Sequence, residues 1–267
     1  MKICVCGKGG SGKSTVVALL AAAFERLGKN ILVLDSDESN ANLFWMLGFD
    51  RPPQPLMDLV GGKKAAQQKM IARFAKGEPE PAMSIWEMEK ITSSSIPPAY
   101  VREKGGRKLV ETGKIHQSLE GCACPMGVVT REFLKKLQLA ADEVALIDME
   151  AGIEHFGRGV EHSVDLVVCV VEPSLESISL AAKVMELTKA AGAVYKGAIL
   201  NKITSDDQES IVSGKLNETG IPVIGVLALH RDIQMACLEG KPLDDRFAAP
   251  EMEKIVNLLN PSLLRRC

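Results

Sequence analysis

Residues 7 to 14 read Gly-Lys-Gly-Gly-Ser-Gly-Lys-Ser, a spacing suited to holding a polyphosphate. Glycines let backbone N–H groups turn inward around phosphate oxygens, and a helix starting directly after the loop adds partial positive charge. On this reading Gly9, Gly10, Ser11, Gly12, Lys13, Ser14 and Thr15 form the cradle. Lys13 would reach the β- and γ-phosphates, and the Ser14 hydroxyl would ligate Mg²⁺. The alternative is an ordinary glycine-rich turn, and placement argues against it. An apolar strand-like stretch, Lys2 to Cys6, precedes the run, and an apolar stretch from Ser14 to Leu27, closed by Gly28, follows it. Strand, glycine-rich loop and helix is the context in which this spacing binds a nucleoside triphosphate.

Phosphoryl transfer needs a metal ion, charge compensation and a positioned water more than covalent help. Two aspartates stand where they would serve it. Asp148 follows the apolar run Val144 to Ile147, where it would act on Mg²⁺ directly or through its waters. Asp37 closes the run Asp35-Ser36-Asp37 after Ile31 to Leu34, with Asp35 expected to hold the loop or a Mg²⁺-bound water. Either acid alone reads equally well as a structural cap; together behind the glycine loop they read as a hydrolytic site.

A second chemistry is carried by Cys122-Ala123-Cys124, within Gly121 to Gly127. On an extended chain, cysteines at i and i+2 put both sulfurs on one side. They make a two-thiolate clip for Zn²⁺, Ni²⁺, Cu(I) or iron–sulfur chemistry, two ligands short of a tetrahedron. A second copy of the chain would supply the missing pair. By itself a C-x-C is weak evidence for metal. Cys4, Cys6 and Cys169 lie in apolar strands and read as core, Cys237 as helical, and Cys267 as a loose terminus. The four histidines are too scattered for a second metal motif.

The elements that must position these groups alternate. Strands are expected at Leu166 to Val171, Ala198 to Leu200 and Val223 to Leu227, besides those above. An amphipathic helix is expected over Thr130 to Ala141, with Phe133, Leu134, Leu137, Ala140 and Ala141 on one face. A further helix is expected after Glu172-Pro173-Ser174, another opened by a Ser205-x-x-Gln208 capping box, and a last one before Pro261. Continuous apolar strands alternating with helices predict an α/β fold with a doubly wound, mostly parallel sheet, which binds ligands at its carboxyl strand ends. The expectation is one P-loop domain over 1–267, with a partly irregular insertion at about 51–121 leading to the C-x-C loop. That insertion is expected to be helical near Lys63 to Lys76, and its basic residues Arg102, Lys104, Arg107 and Lys108 to be a solvated surface or a docking face for an acidic partner.

Composition excludes other classes. Net charge is −2 in 267 residues, which gives no general attraction to nucleic acid or anionic lipid, and 46% hydrophobic residues suffice for a sheet covered on both faces. No apolar run is long enough to span a bilayer, and Met1 to Cys6 is too short for a signal-peptide core. A cytoplasmic protein is expected, in which seven cysteines favour metal or core roles over disulfides.

Lys8, inside Lys-Gly-Gly-x-Gly-Lys-Ser, resembles the extra lysine of the deviant P-loop ATPases, which include the MinD/ParA proteins and the nitrogenase iron protein. The resemblance implies a homodimer in which Lys8 crosses to the partner's phosphates, as an arginine finger does; the alternative is a solvated loop lysine. It also implies that Asp37 orients the attacking water, that the Asn201 amide reads the adenine edge, and that Lys202 packs its stem on the base. With Gly121-Cys-Ala-Cys-Pro-Met-Gly127 and Asp148-Met-Glu-Ala-Gly-Ile-Glu-His-Phe-Gly-Arg-Gly159, the chain is similar to the CooC-type ATPases over nearly its whole length. These assist nickel insertion into carbon monoxide dehydrogenase, and a sister group serves acetyl-CoA synthase. The implied protein is an ATP-hydrolysing metallochaperone that holds Ni²⁺ or Zn²⁺ between Cys122 and Cys124 of both subunits. The chain departs from the wider superfamily at Glu38 and at Ala228-Leu229-His230-Arg231-Asp232, where proline is often found. Two rivals remain: a MinD/ParA-like partitioning ATPase, which needs a membrane or DNA surface, and an electron-transfer ATPase with an interfacial iron–sulfur cluster. The iron protein draws its cluster ligands from cysteines far apart in sequence, unlike this C-x-C.

Overall fold

Alternate residues of the first strand, β1 (Lys2–Gly7), enter two different cores. Ile3 and Val5 pack on one side of the sheet, Cys4 and Cys6 on the other, and Ile31/Val33 against Leu32/Leu34 repeat the division in β2 (Asn30–Ser36). Both faces are covered, so these strands read as unbroken apolar runs rather than as alternation. The computed structural model describes residues 1–40, 42–75, 88–114, 124–153 and 159–259.

The remaining strands are β3 (Arg102–Lys104), β4 (Arg107–Glu111), β5 (Glu143–Met149), β6 (Leu166–Val171), β7 (Val194–Ile203) and β8 (Val223–Ala228). They form one eight-stranded sheet in the order β3-β4-β2-β5-β1-β6-β7-β8, parallel except for β3 against β4. Helices α1 (Lys13–Arg26), α2 (Leu43–Met46), α8 (Arg231–Glu239) and α9 (Ala249–Leu259) contribute to the core containing Ile3. Helices α3 (Leu56–Leu59), α4 (Gly62–Ala75), α5 (Cys124–Lys136), α6 (Leu175–Ala190) and α7 (Asp206–Glu218) contribute to the core containing Cys4. Phe24 and Phe133 are the largest fully buried side chains of the two layers, each worth about 1.5–3 kcal/mol in apolar burial. Strand order reverses at β1, which places the loop after it at the switch point of the sheet, where such folds bind ligands.

Three expectations are corrected. The helix predicted over Thr130 to Ala141 runs instead from Cys124 to Lys136. Pro125 sits in its first turn, where a missing N–H costs nothing. At the other end Leu137 bridges Ile91, whose N–H and C=O bond Lys136 and Gln138; this pairing takes the chain out of the helix, and Ala140 and Ala141 are exposed. Cys124 therefore opens a helix and does not continue an extended chain. The basic residues Arg102 to Lys108 are not merely a solvated surface either. They form a hairpin through Gly105-Gly106 that extends the sheet beside β2, and Arg107 bonds Glu25 at 2.6 Å. The capping box holds: Gln208 N–H donates to Ser205 Oγ at 3.3 Å, and the Gln208 side chain reaches back to Thr204 N–H at 2.9 Å.

Gly197 tests the packing of the sheet. It has φ +147°, next to a register shift between β6 and β7, and an added Cβ would lie 2.5 Å from the Pro222 carbonyl oxygen. Gly197→Ala is expected to lower unfolding free energy by about 1–3 kcal/mol, read as a lower urea midpoint; an unchanged midpoint would contradict this packing.

Candidate functional site

The loop after β1 is shaped by two left-handed glycines, Gly10 (φ +80°) and Gly12 (φ +95°). A Cβ on Gly12 would come within 2.2 Å of the Asn201 amide nitrogen, so glycine is required there twice over. Gly12 is also the N-cap of α1, with no side-chain cap bond and no acid in the first turn. The first N–H groups of the helix are thus left to a ligand, in the field of its positive end. Gly9, Gly10, Gly12, Lys13, Ser14 and Thr15 line a cleft of 290 Å³ with Asp37, Asn40 and Ala151. A larger groove of 720 Å³ runs along β8 beside α7 and α9, away from these groups. Ser11 is fully buried, and its Oγ has no hydrogen-bond partner among the described residues.

The acids meet this loop through strand register. Glu111, Asp35 and Asp148 are Cα partners across β4, β2 and β5, and Asp148 in turn lies beside Val5 of β1. Ser14 Oγ donates to Asp148 Oδ2 at 2.5 Å and accepts from the Asn40 amide at 2.9 Å. The other oxygen, Asp148 Oδ1, is buried without a partner among the described residues. A hydroxyl and a carboxylate oxygen converging here are hard oxygen donors of the kind that suit Mg²⁺. Asp37 Oδ1 accepts from Ser39 N–H (3.0 Å), Ser39 Oγ (2.7 Å) and Asn40 N–H (3.2 Å), which fixes the loop over residues 37–40.

Burial pushes the Asp35 carboxyl up to about 7, although the charge and hydrogen bond of Lys114 oppose the shift. Burial, then the neighbouring charge of Asp35, pushes Asp148 to about 7 against the Ser14 hydrogen bond. Lys114 was not among the residues singled out from sequence. It lies 2.7 Å from Asp35 Oδ1 and donates to the carbonyls of Asp37 (2.6 Å) and Asn40. Asn40, Glu111 and Glu172 were missed as well; an asparagine three residues after Asp37 was the one local signal available.

Lys8 and Lys202 share a single carboxylate. Each ammonium lies 3.2 Å from an oxygen of Glu172, at the end of β6, and Lys202 also bonds the Gly10 carbonyl. Desolvation pushes Glu172 up, but hydrogen bonds from Lys202 and Lys8 outweigh it and hold the carboxyl below its ordinary value. Lys202 takes φ +63°, the left-handed region, alone among the described non-glycine residues. Asn201 donates its amide to the Ser11 carbonyl at 2.8 Å, so here that amide braces the phosphate loop. Lys8, Lys13, Ser14, Asp37 and Asp148 are thus all gathered at the carboxyl edge of the sheet. Cys122 and the side chain of Cys124 lie outside the described residues, as do residues 154–158. Among the described residues no cluster of three or more His, Cys, Asp or Glu could hold a metal ion, and no helix is long and apolar enough to cross a membrane.

A phosphate loop at the switch point, facing strand-end acids, defines a nucleotide-hydrolysing class. The family model described as the CobQ/CobB/MinD/ParA nucleotide binding domain matches residues 3–243, and the chain belongs to this family of P-loop ATPases. It is 40% identical to an uncharacterised ATP-binding protein of Methanocaldococcus jannaschii, covering 97% of this chain and 99% of that protein. It is 32% identical to the carbon monoxide dehydrogenase accessory protein CooC of Rhodospirillum rubrum, covering 100% and 97%. Among solved structures, the septum site-determining protein MinD of Pyrococcus horikoshii, complexed with Mg-ADP, has a TM-score of 0.68 at 19% identity over 98% of this chain and 96% of its own, a likeness of fold.

The two raised carboxyls set a pH dependence. Their folded values near 7 exceed the ordinary 3.8, so between about pH 4 and 7 the unfolded chain has lost protons that the folded one keeps. Rising pH through that window therefore lowers the stability of the ligand-free protein. The melting temperature is expected to fall from about pH 5 to pH 7.5, with a shallower fall in Asp148→Asn. A melting temperature that rises across that window, or an identical slope in Asp148→Asn, would contradict the assignment.

Proposed function

We propose that this ATPase is a metallochaperone that dimerises with nucleotide and assists nickel insertion into carbon monoxide dehydrogenase or the related acetyl-CoA synthase. The reading is carried by one observation: end-to-end similarity to the CooC protein at 32% identity in a chain whose sequence carries Cys122-Ala123-Cys124. Cys122 and Cys124 of two subunits would hold one Ni²⁺ or Zn²⁺ as cargo, with four thiolates completing a tetrahedron.

The chain's own residues account for the ATP chemistry. The α1 N-terminus and Lys13 hold the β- and γ-phosphates, with Asn201 keeping the loop in shape. Mg²⁺, held through Ser14 and Asp148, would neutralise charge on the transferring phosphoryl group. Asp37 has one oxygen pinned by three donors, and the other is the one available to orient the attacking water. Lys8 rests on its own subunit's Glu172; in a nucleotide-bound dimer it would leave that carboxylate for the partner's phosphates. Hydrolysis then waits for two subunits to meet. Asn201 and Lys202, at the end of β7, would border the base.

Anaerobic metal titration tests the reading, using wild type and Cys122→Ala/Cys124→Ala, with mass measured in ADP and in ATP. The expected result is one Ni²⁺ or Zn²⁺ per dimer, lost in the double variant while nucleotide binding survives. Equal metal binding by the double variant would remove the metallochaperone and leave the ATPase. Lys8→Ala is expected to bind ATP yet lose about a hundredfold or more in turnover; wild-type turnover would remove the trans role of Lys8.

A further inference from the structure

Glu172 is approached by two lysines from opposite sides. The sheet order β1-β6-β7 sets the end of β6 between the phosphate loop and the end of β7, so Lys8 and Lys202 reach the same carboxylate. Lys8 Nζ lies 3.2 Å from Oε1, and Lys202 Nζ lies 3.2 Å from Oε2. The backbone that carries this carboxylate is fixed. Glu172 N–H donates to Ser177 Oγ at 3.2 Å, and Ser177 N–H donates to Ser174 Oγ, the cap of α6, at 3.2 Å. The loop's two lysines differ in direction. Lys13 is buried and lines the phosphate cleft, whereas Lys8 is not among the described residues that line it and is 39% exposed. Lys8 can therefore meet a phosphate only by leaving Glu172.

We propose that Glu172 is a positioning residue that parks Lys8 outside the phosphate cleft of the free subunit and gives it up when a second nucleotide-bound copy presents its phosphates. Glu172 thereby sets the protein concentration at which dimers form. The proposal rests on the reading of Lys8 as a cation supplied in trans. The second lysine keeps the cost of release low. When Lys8 departs, Lys202 still neutralises the carboxylate, and no partly buried charge is left unpaired. Lys202 also keeps its bond to the Gly10 carbonyl, so the phosphate loop holds its shape while Lys8 moves. The pair itself is weak enough to be exchanged. An ion pair this exposed shifts an equilibrium by about two- to fivefold, while phosphate oxygens offer the ammonium charge-assisted hydrogen bonds. Glu172 thus opposes association without preventing it.

The test compares wild type, Glu172→Gln, Glu176→Gln and Lys8→Ala. Dimerisation is read by sedimentation equilibrium with Mg-bound non-hydrolysable ATP, and Mg-bound ADP affinity and ATP turnover are measured in parallel. Glutamine keeps the shape of the Glu172 side chain and removes its charge. Glu176 is the control, because its carboxylate lies 4.0 Å from Lys8 and is 74% exposed. Its removal changes the same local charge and leaves the Glu172 contact in place. Glu172→Gln is expected to tighten the dimer about two- to fivefold, with Glu176→Gln close to wild type and ADP affinity changed by less than about twofold in both. Half-maximal turnover should then need correspondingly less Glu172→Gln protein. A Glu172→Gln dimer no tighter than wild type overturns the proposal. So does equal tightening in Glu176→Gln, which would assign the effect to net charge alone, or a loss of ADP affinity and association together, which would assign it to the shape of the phosphate loop. Lys8→Ala with wild-type turnover, or a wild type that stays monomeric with nucleotide, would sink the trans reading and this one with it. With Lys8→Ala inactive and Glu172→Gln unchanged in association, only the role of Glu172 falls.

Discussion

Asp35 and Asp148 stand side by side on adjacent strands, each almost wholly buried, with Glu111 next in the row. Taking a carboxylate out of water costs several kcal/mol even after relaxation, so the carboxyl edge of the sheet is organised around that charge. Two responses are visible. One is protonation, with Asp35 and Asp148 both held near 7. The other is compensation by Lys114 from one side and by Ser14 from the other. Removing one member of a buried pair costs about 3–5 kcal/mol, comparable with a large part of a domain's net stability. The site therefore suits a divalent cation, whose charge would complete the compensation that Lys114 and Ser14 begin.

The phosphate loop shows a second compromise, in backbone conformation. Gly10 and Gly12 take left-handed φ values at no steric cost, but Lys202 takes one as well, at roughly 1–2 kcal/mol for a residue with a Cβ. Its ammonium then reaches both the Gly10 carbonyl and Glu172, and Asn201 beside it braces the Ser11 carbonyl. The strain at the end of β7 is thus held by bonds to the loop that it supports, which is where strained residues in functional sites persist.

What the sequence made legible follows from the range of the interactions. The phosphate loop, the central strands, the Ser205 capping box and the acids of β2 and β5 are encoded locally, by glycine spacing, apolar runs and position at strand ends. Lys114 carried no such signal. Its burial is decided by the pairing of β4 with β2, and its partner Asp37 lies 77 positions away. The hairpin of β3 and β4 was hidden because its charged residues read as surface, although Arg107 is neutralised by Glu25 of α1. The start of α5 was misplaced because proline and glycine, both tolerated in a first turn, look like helix breakers.

The two joints that flank the cysteine motif differ in chemistry. On the near side Lys114 meets Asp35, a carboxyl that changes its proton close to neutrality. On the far side Ser36, Thr130 and Thr112 form a chain of hydroxyls, each able to give or take a hydrogen bond and none ionising in that range. Mild acid would remove the ion pair from the first joint, leaving its two carbonyl bonds and all of the second untouched. The chain on the two sides of residues 115–123 is therefore pinned by one joint that responds to protons and by one that is blind to them.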